Sequence, residues 1–375
     1  MFQIFCFYDK FTAFSTSRGI LPGTFLFFTE VILMPDQKEY YMRRALALAA
    51  RGAGHVDPNP MVGCVIVKDG RIIAEGWHEH IGGLHAERNA FAHCTEDAAG
   101  ADLYVTLEPC CHWGRTPPCT DAVIEHRIRR VFVGCLDPNP LVAGKGAQIL
   151  RDAGIEVETG VCEAECREIN EVFFHYITHK TPFVVLKYAM TLDGKIATAN
   201  GESKWITGPE ARRRVQQLRR LSDAIMVGGR TVRADHPALT VREPDSWPRQ
   251  PLRLVASRSM DDEEVAGYFP DGNVERVELE TPEAWRSLME QLGKREICCL
   301  LIEGGGELAA AALEAGVVDF AEFHIAPKLL GGRDSRPVLG GENPDSMAFA
   351  RRLHRVKVNR YGEDFAISGY LEEDR

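Results

Sequence analysis

Apolar and polar residues alternate along residues 36–178 with two different periods. Residues 39–49 repeat apolar positions at helical spacing after Asp36, which predicts a capped helix. Two β-branched runs at residues 61–67 and 71–76 are joined by Lys68-Asp69-Gly70, a pattern typical of a hairpin. Helical and strand-like segments then alternate at residues 85–94, 102–107, from 120 onward and 130–134. A layered α/β domain is therefore predicted.

A second α/β unit is predicted after residue 178. The helical pattern of residues 163–177 ends in a polar run closed by Pro182. Further strand-like runs, with helical patterns between them, follow at residues 183–187, 224–227, 252–255, 298–302 and 320–325. We therefore expect one domain at residues 34–178 and another at 179–375.

Length, charge and cysteine usage narrow the class of protein. A chain of 375 residues is long enough for two ordinary hydrophobic cores. Its net charge of −10 would repel a phosphate backbone, which disfavours nucleic acid as a partner. No run approaches the roughly 20 apolar residues of a membrane helix. The eleven cysteines lack the spacing of a secreted disulfide scaffold, so we expect a cytoplasmic protein.

The first 33 residues differ from the rest of the chain. They are rich in phenylalanine, but charges at Asp9, Lys10, Arg18 and Glu30 interrupt them and no cleavage pattern follows. We predict that residues 1–33 are a dispensable extension. The alternative is a short membrane-surface or targeting segment.

Metal-ligating residue types cluster in the first domain. His85 stands two residues before Glu87, and Cys110 is separated by eight residues from Cys119. Zinc binds imidazole and thiolate, and a catalytic zinc keeps three protein ligands and one open position for water. Glu87 could then carry a proton from that activated water to a departing amine. The alternative is a set of buried thiols around a hydrogen-bonded histidine.

This arrangement is similar to that of zinc deaminases, in which His-x-Glu is followed by Pro-Cys-x-x-Cys. Here eight residues replace the usual two between the cysteines.

A glycine-rich turn marks the second domain. The apolar run at residues 298–302 leads into Glu303-Gly304-Gly305-Gly306. The first predicted strand of this domain, at residues 183–187, is not followed by the Gly-x-Gly-x-x-Gly pattern of a Rossmann fold. Glycines between a strand and a helix allow backbone amides to approach a pyrophosphate. A plain tight turn is the alternative.

The segments that carry chemistry resemble a known family. Residues 105–119, with the longer cysteine spacing, resemble the bifunctional deaminase/reductases of riboflavin biosynthesis, as do further matches at 58–63, 76–78, 137–144, 186–197, 201–207 and 228–242. The resemblance covers residues 36–372. It implies an α/β chain with an N-terminal three-layer cytidine-deaminase-like domain and a C-terminal dihydrofolate-reductase-like domain.

The resemblance also implies two reactions and two cofactors. Zinc, one ion per chain, would serve the hydrolytic deamination of 2,5-diamino-6-ribosylamino-4(3H)-pyrimidinone 5′-phosphate. NADPH would then reduce the ribosyl group to ribityl, with Lys187 promoting ring opening. The sequence leaves open whether the chain forms a homo-oligomer.

For the deaminase, the resemblance implies a substrate pocket lined by Asn59, His78, His112, Arg115, Asp137 and Asn139. Asn and Asp side chains can bind the donor and acceptor edges of a pyrimidine, and Arg115 could hold phosphate. For Asp137 and Asn139, a structural turn is an equal alternative. Cys111 stands where the family usually has serine and could compete as a ligand.

For the reductase, the resemblance implies NADPH contacts at Ala189, Trp205, Thr231, Asp235, Ser257, Gly305 and Gly306. It implies substrate contacts at Ser203, Arg219, Leu239, Arg242 and Glu303. Arg219 and Arg242 could clamp a phosphate, although a solvated helix face is an alternative for Arg219 because other arginines surround it. The family's aspartate before Ser257 is Ala256 here, which leaves that cofactor contact open.

Two other functions are compatible with a zinc site. A nucleic-acid base deaminase would need a basic surface, which the acidic chain disfavours. A non-enzymatic zinc module with a nucleotide-sensing domain would need four protein ligands.

Overall fold

The computed structural model describes residues 36–113, 117–139 and 142–372, which fall into two compact units. The division lies between Thr178 and His179. The prediction that residues 1–33 are dispensable concerns a segment outside the described residues. Within the described part of the chain, the helices are too short or too polar to cross a bilayer.

The first unit is a five-stranded sheet with helices on both faces. The strand order is β2-β1-β3-β4-β5, with β1 antiparallel to its neighbours and the other pairs parallel. Helices α1 and α5 pack together, whereas α2, α3 and α4 form a separate group. The elements are α1 (Gln37–Ala49), β1 (Gly63–Lys68), β2 (Arg71–Trp77), α2 (Ala86–Ala92), β3 (Asp102–Leu107), α3 (Cys119–Glu125), β4 (Arg130–Cys135), α4 (Lys145–Asp152), β5 (Glu156–Thr159), α5 (Glu163–Ile169) and α6 (Glu171–His179).

The local sequence explains how this unit begins. Asp36 caps α1 by accepting a hydrogen bond from the Lys38 amide at 3.2 Å. The predicted hairpin is confirmed, with Lys68 paired to Arg71 across the Asp69-Gly70 turn.

Gly63 allows the closest approach between α1 and the sheet. A Cβ atom at this position would lie 1.9 Å from the Ala45 carbonyl oxygen, so the helix would have to move. We expect Gly63→Ala to lower the free energy of unfolding of the first unit by about 1–3 kcal/mol through overpacking. Thermal unfolding, monitored through the release of bound zinc, would measure this change in stability. Gly267→Ala, at an exposed helical position of the second unit, adds a Cβ with no atom within 4 Å and needs no positive φ, so it is the control for the glycine-to-alanine change itself.

The second unit contains an eight-stranded sheet in the order β10-β9-β8-β11-β6-β12-β15-β14. The first six strands in this order, β10 through β12, are parallel to their neighbours. At the other edge, β15 is antiparallel to both β12 and β14. The elements are β6 (Phe183–Thr191), β7 (Lys195–Ala197), α7 (Pro209–Arg220), β8 (Ala224–Gly228), α8 (Gly229–Asp235), β9 (Leu252–Ala256), α9 (Asp262–Tyr268), β10 (Val274–Val277), α10 (Pro282–Lys294), β11 (Cys299–Glu303), α11 (Gly306–Glu314), β12 (Phe320–Ala326), β13 (Arg336–Pro337), β14 (His354–Tyr361) and β15 (Asp364–Tyr370).

The two faces of β6 carry different chemistry. Val184, Leu186 and Tyr188 belong to a hydrophobic core that also contains Trp285 and Leu300. Because side chains alternate along a strand, Lys187 lies on the opposite face. This face therefore carries a charged side chain, in contrast to the apolar face that packs in the core.

Two sequence-based expectations are corrected. The helix expected at residues 163–177 is two helices, α5 and α6, separated at Asn170, whose buried side chain bonds both backbone groups of Met61. The strand expected at 183–187 continues to Thr191 because its pairing with β12 extends to that residue.

Candidate functional site

His85, Cys110 and Cys119 converge in the first unit. Their ligand atoms lie within 4.8 Å of one another, and His85 Nδ1 is 3.5 Å from Cys110 Sγ and 3.4 Å from Cys119 Sγ. One imidazole nitrogen and two thiols are the donor set that zinc prefers, and the cluster contains no fourth ligand from the described residues. The residues present therefore fit a zinc ion that keeps one position for a small molecule.

The electrostatics of the cluster favour a thiolate. Hydrogen bonds from the Cys119 thiol and from His85 lower the pKa of Cys110 to about 4, against the opposing effect of burial. The hydrogen bond with Cys110 raises the pKa of His85. A thiol that loses its proton readily is a good metal ligand.

Short elements position these ligands. His85 is the residue before α2, as predicted, and Cys119 is the first residue of α3 after Pro118. Arg88 on α2 donates to the carbonyls of Pro117 at 3.1 Å and Pro118 at 2.8 Å. This side chain, to which the sequence analysis gave no role, joins the histidine helix to the segment that carries Cys119.

Glu87 lies within the protein beside the cluster. Its side chain is 3% exposed and hydrogen-bonds to Cys119, and burial raises its pKa. The carboxyl group is not one of the clustered ligand atoms. It is therefore placed to handle a proton next to the metal site.

Two predicted substrate residues lie beside His85. Asn59 Nδ2 is 3.1 Å from His78 Nε2, and the His78 ring meets the His85 ring edge-on at 5.5 Å. His78 Nδ1 is 2.9 Å from the Leu84 carbonyl oxygen, which fixes the ring. Burial lowers the pKa of His78, which favours a neutral imidazole.

Asp137 and Asn139 lie in the loop after β4. The Asn139 amide donates to Asp137 Oδ1 at 2.8 Å, which is the backbone contact of a turn. Burial raises the pKa of Asp137 to about 6, and Glu108 adds to the rise, whereas the nearby His112 opposes it. The structure therefore brings Asp137, Asn139 and His112 together. Arg115 lies outside the described residues.

Glu108 organises this loop and was not assigned a role from the sequence. Its carboxylate accepts from the amides of Asp137 at 3.3 Å, Gly144 at 2.8 Å and Ala147 at 3.0 Å. The available sequence signal was an acidic residue placed between the apolar run that ends at Leu107 and Pro109-Cys110.

All the residues predicted for the reductase line one cavity of about 1440 Å³ in the second unit. These are Lys187, Ala189, Ser203, Trp205, Arg219, Thr231, Asp235, Leu239, Arg242, Ser257, Glu303, Gly305 and Gly306. Ligands of α/β proteins bind beyond the carboxyl ends of parallel strands, which is where Glu303 of β11 lies.

Lys187 faces a buried ion pair at the cavity wall. Arg219 donates two hydrogen bonds of 2.8 Å to Glu303, and a third of 3.2 Å to the Thr240 carbonyl. Burial lowers the pKa of Lys187. The solvated-face interpretation of Arg219 is wrong, because Glu303 holds its guanidinium inside the protein.

The glycine turn fits a pyrophosphate group. Gly304 and Gly305 have φ angles of 73° and 92°, which disfavour any other residue. A Cβ on Gly305 would lie 3.4 Å from Thr231 Oγ1 and would fill the space before α11. The Gly305 carbonyl accepts from the Tyr188 hydroxyl at 2.7 Å, which fixes the turn.

Polar contacts connect the remaining cofactor candidates. Ser203 Oγ donates to Asp235 Oδ1 at 2.9 Å, and Arg212 stacks on the exposed Trp205 ring at 4.6 Å. Ser257 Oγ accepts from the Met260 amide at 3.2 Å, a contact that does not depend on the residue at position 256.

Family models match both halves of the chain. Residues 35–135 match the cytidine and deoxycytidylate deaminase zinc-binding region, and residues 182–367 match the RibD C-terminal domain. The riboflavin biosynthesis protein RibD of Actinobacillus pleuropneumoniae is 48% identical over 359 residues, covering 87% of this chain and 93% of the relative. The Escherichia coli RibD is 41% identical, with 88% and 98% covered.

Solved structures agree over nearly the whole chain. Acinetobacter baumannii RibD superposes with a TM-score of 0.80 at 39% identity, covering 89% of this chain and 98% of that one. The diaminohydroxyphosphoribosylaminopyrimidine deaminase/5-amino-6-(5-phosphoribosylamino)uracil reductase of Thermotoga maritima gives 0.79 at 38% identity, with the same coverage. The expected cytidine-deaminase-like and dihydrofolate-reductase-like domains are confirmed, with zinc and NADPH as their cofactors. The chain belongs to the RibD family of bifunctional riboflavin-biosynthesis enzymes, in which a zinc-dependent deaminase precedes an NADPH-dependent reductase.

Proposed function

We propose that Glu87 and Lys187 are the proton-transfer residues of the two reactions. In the first domain, His85, Cys110 and Cys119 would hold zinc, which when bound activates water for attack on the aminopyrimidine. Glu87 takes a proton from that water and passes it to the departing amine, which leaves as ammonia. The burial of Glu87 and its contact with Cys119 support this role.

The pyrimidine ribotide would bind against Asn59, His78 and the loop after β4. A neutral His78 that donates from Nδ1 to the Leu84 carbonyl accepts from the Asn59 amide through Nε2, which orients the Asn59 side chain and leaves its carbonyl oxygen and second N–H for the polar edge of the base. Asp137, Asn139 and His112 are proposed for the rest of the base and the ribose. Arg115 is proposed for the phosphate.

In the second domain, Lys187 would donate its proton to the ribose ring oxygen. The ring C–O bond then breaks as the attached nitrogen forms a double bond to C1. NADPH supplies the hydride that reduces this carbon. The product is a ribityl chain, and Lys187 regains its proton from solvent. The position of Lys187 at the cavity supports proton donation to a ligand there, and burial, which lowers the pKa of the ammonium group, makes that group a stronger acid.

Arg242 is the proposed phosphate ligand of the reductase. None of the ion pairs among the described residues engages its side chain, whereas Arg219 is held by Glu303 on two hydrogen bonds. Ser203, Leu239, Arg219 and Glu303 are proposed to contact the substrate alongside it. Ala189, Trp205, Thr231, Asp235, Ser257, Gly305 and Gly306 are proposed to contact NADPH.

The separation of the two constellations is the observation that carries this assignment. The zinc ligands and Glu87 belong to the unit before His179, and Lys187 with its cavity belongs to the other. With the diaminopyrimidine ribotide alone, the enzyme should release ammonia and accumulate the ribosylamino-uracil phosphate. Addition of NADPH should convert that compound to the ribityl product. Ammonia release that required NADPH would contradict the assignment.

A cytoplasmic location and a homo-oligomer complete the proposal, with no nucleic-acid or membrane partner. No two described cysteines form a disulfide, which supports a reducing compartment. The edge strand β14 exposes Val356 and Val358, which supports association between copies. Fractionation and light scattering would test the two statements.

A chain that begins at Met34 is expected to keep both activities and its thermal stability. The reason is that α1, the first helix of the described deaminase domain, takes its cap from Asp36, which the shortened chain keeps. Ammonia release and NADPH oxidation by the truncated and full-length proteins are the measurements. If the truncated protein were insoluble or inactive, residues 1–33 would be needed.

A further inference from the structure

Lys187 occupies the centre of a row of charges that crosses three neighbouring strands. In the parallel pairing of β11 and β6, Glu303 is opposite Lys187, and in the pairing of β6 and β12, Lys187 is opposite Glu322. Residues paired in register point to the same face of a sheet. Two carboxylates therefore flank the lysine, one on each side.

Helix α7 supplies one arginine to each carboxylate. Arg219 binds Glu303 as described, and Arg214 donates to Glu322 Oε1 at 3.0 Å and to Oε2 at 2.8 Å. The Glu303 pair lines the cavity, whereas Arg214 and Glu322 are buried behind Lys187 and do not line it. The second pair therefore lies where neither substrate nor NADPH would touch it.

His324 completes the buried group. Its Nε2 is 2.8 Å from Glu322 Oε1, the ring is fully buried, and Nδ1 has no hydrogen-bond partner among the described residues. Burial lowers the pKa of His324 despite the neighbouring carboxylate. The geometry corresponds to a neutral ring that donates through Nε2 to Glu322.

The two ion pairs beside Lys187 balance without the charge of the lysine. Glu303 and Glu322 offset Arg219 and Arg214, and His324 carries no charge, so a protonated Lys187 adds an excess positive charge. Arg242, which acts on Glu303 from the cavity wall, adds a further positive charge on that side. Buried charges without a counterion are unfavourable. The buried surroundings therefore favour the neutral form of Lys187, whereas the two carboxylates favour its protonated form.

We propose that Arg214, Glu322 and His324 form a positioning network that sets the readiness of Lys187 to donate its proton to the substrate. Glu322 attracts the ammonium group from the side away from the cavity, and Arg214 limits that attraction. His324 holds the Glu322 carboxylate in place. This inference rests on the proposed role of Lys187 as the acid of the reductase.

The network predicts opposite pH shifts for its two charged members. The acid must be protonated, so the reductase rate falls as the pH rises through the pKa of Lys187. Glu322→Gln removes an attractive charge, which lowers that pKa and moves the alkaline limb to lower pH by about one unit. Arg214→Gln removes a repulsive charge and moves the limb to higher pH by about one unit. The double variant should return close to the original profile.

The experiment is the pH dependence of single-turnover NADPH oxidation with the ribosylamino-uracil phosphate. NADPH affinity checks folding of the second domain, and ammonia release checks the first. Glu275→Gln breaks a bidentate pair with Arg295 elsewhere in the same domain and should leave the profile unchanged. If Glu322→Gln does not bind NADPH, Glu322→Asp replaces it, with a smaller shift in the same direction expected.

Shifts of opposite sign that cancel in the double variant would support the network, because a purely structural role would reduce rates without moving the limb in two directions. Unchanged limbs, or shifts of the same sign, would overturn it. Lys187→Ala distinguishes a failure of the proposed lysine role from a failure of the network. If that variant oxidised NADPH at the rate of the unchanged enzyme, the proposed role of Lys187 would fail. A strong loss of rate in Lys187→Ala, with unshifted Glu322 and Arg214 variants, would overturn the network alone.

Discussion

Replacement of Glu87 by alanine is expected to slow ammonia release by about 10²–10⁴-fold while zinc stays bound. The carboxyl group lies beside the ligand cluster but is not one of its ligand atoms, so its removal takes away proton transfer and leaves the metal site intact. Metal analysis together with an ammonia assay on the diaminopyrimidine ribotide measures both quantities. Glu87→Gln, which keeps the shape of the side chain, should behave in the same way.

Two further variants make this result interpretable. Cys119→Ala should lose zinc, because it removes one of three ligand atoms that lie within 4.8 Å of one another. Glu75→Ala, at a partly exposed carboxylate paired with Arg44, should keep both zinc and activity. Zinc lost from Glu87→Ala but retained by Cys119→Ala would show that the ligand assignment is wrong.

Lys187→Ala is expected to slow NADPH oxidation by about 10²–10⁴-fold and to leave ammonia release unchanged. The variant removes the proposed proton donor. It should still fold, since the two remaining buried carboxylates are matched by Arg214 and Arg219. The assay supplies the ribosylamino-uracil phosphate directly, so that deamination does not limit the rate.

The matched control is Lys294→Ala, which removes a lysine from the end of α10 in the same domain, away from the cavity. It should keep both activities. Glu87→Ala provides the reverse comparison, because it should oxidise NADPH normally with the deaminated substrate. A folded, zinc-loaded Glu87→Ala enzyme that failed to do so would refute the assignment of separate sites.

Local residue order was enough to predict the two-domain α/β organisation and the candidate metal ligands. Hydrophobic period depends on local residue order, so the hairpin of β1 and β2 and the helix starting at residue 37 could be predicted. His85, Cys110 and Cys119 were identifiable because few other combinations of donor types suit zinc. The family resemblance supplied the candidate residues of the cavity in the second domain. Their positions along the chain alone would not have shown that they line one site.

Which polar residues act together over long sequence separations depends on the packing of the folded chain. From the sequence, Arg219 could belong to a solvated helix face. Its ion pair with Glu303, at the end of β11, shows that the side chain is buried. Glu322 and Lys187 are far apart in sequence, and strand register makes them neighbours. Glu108 gained its role from three amides of a distant loop. Burial and electrostatic balance depend on what packs around a side chain, and the linear order of residues does not contain that information.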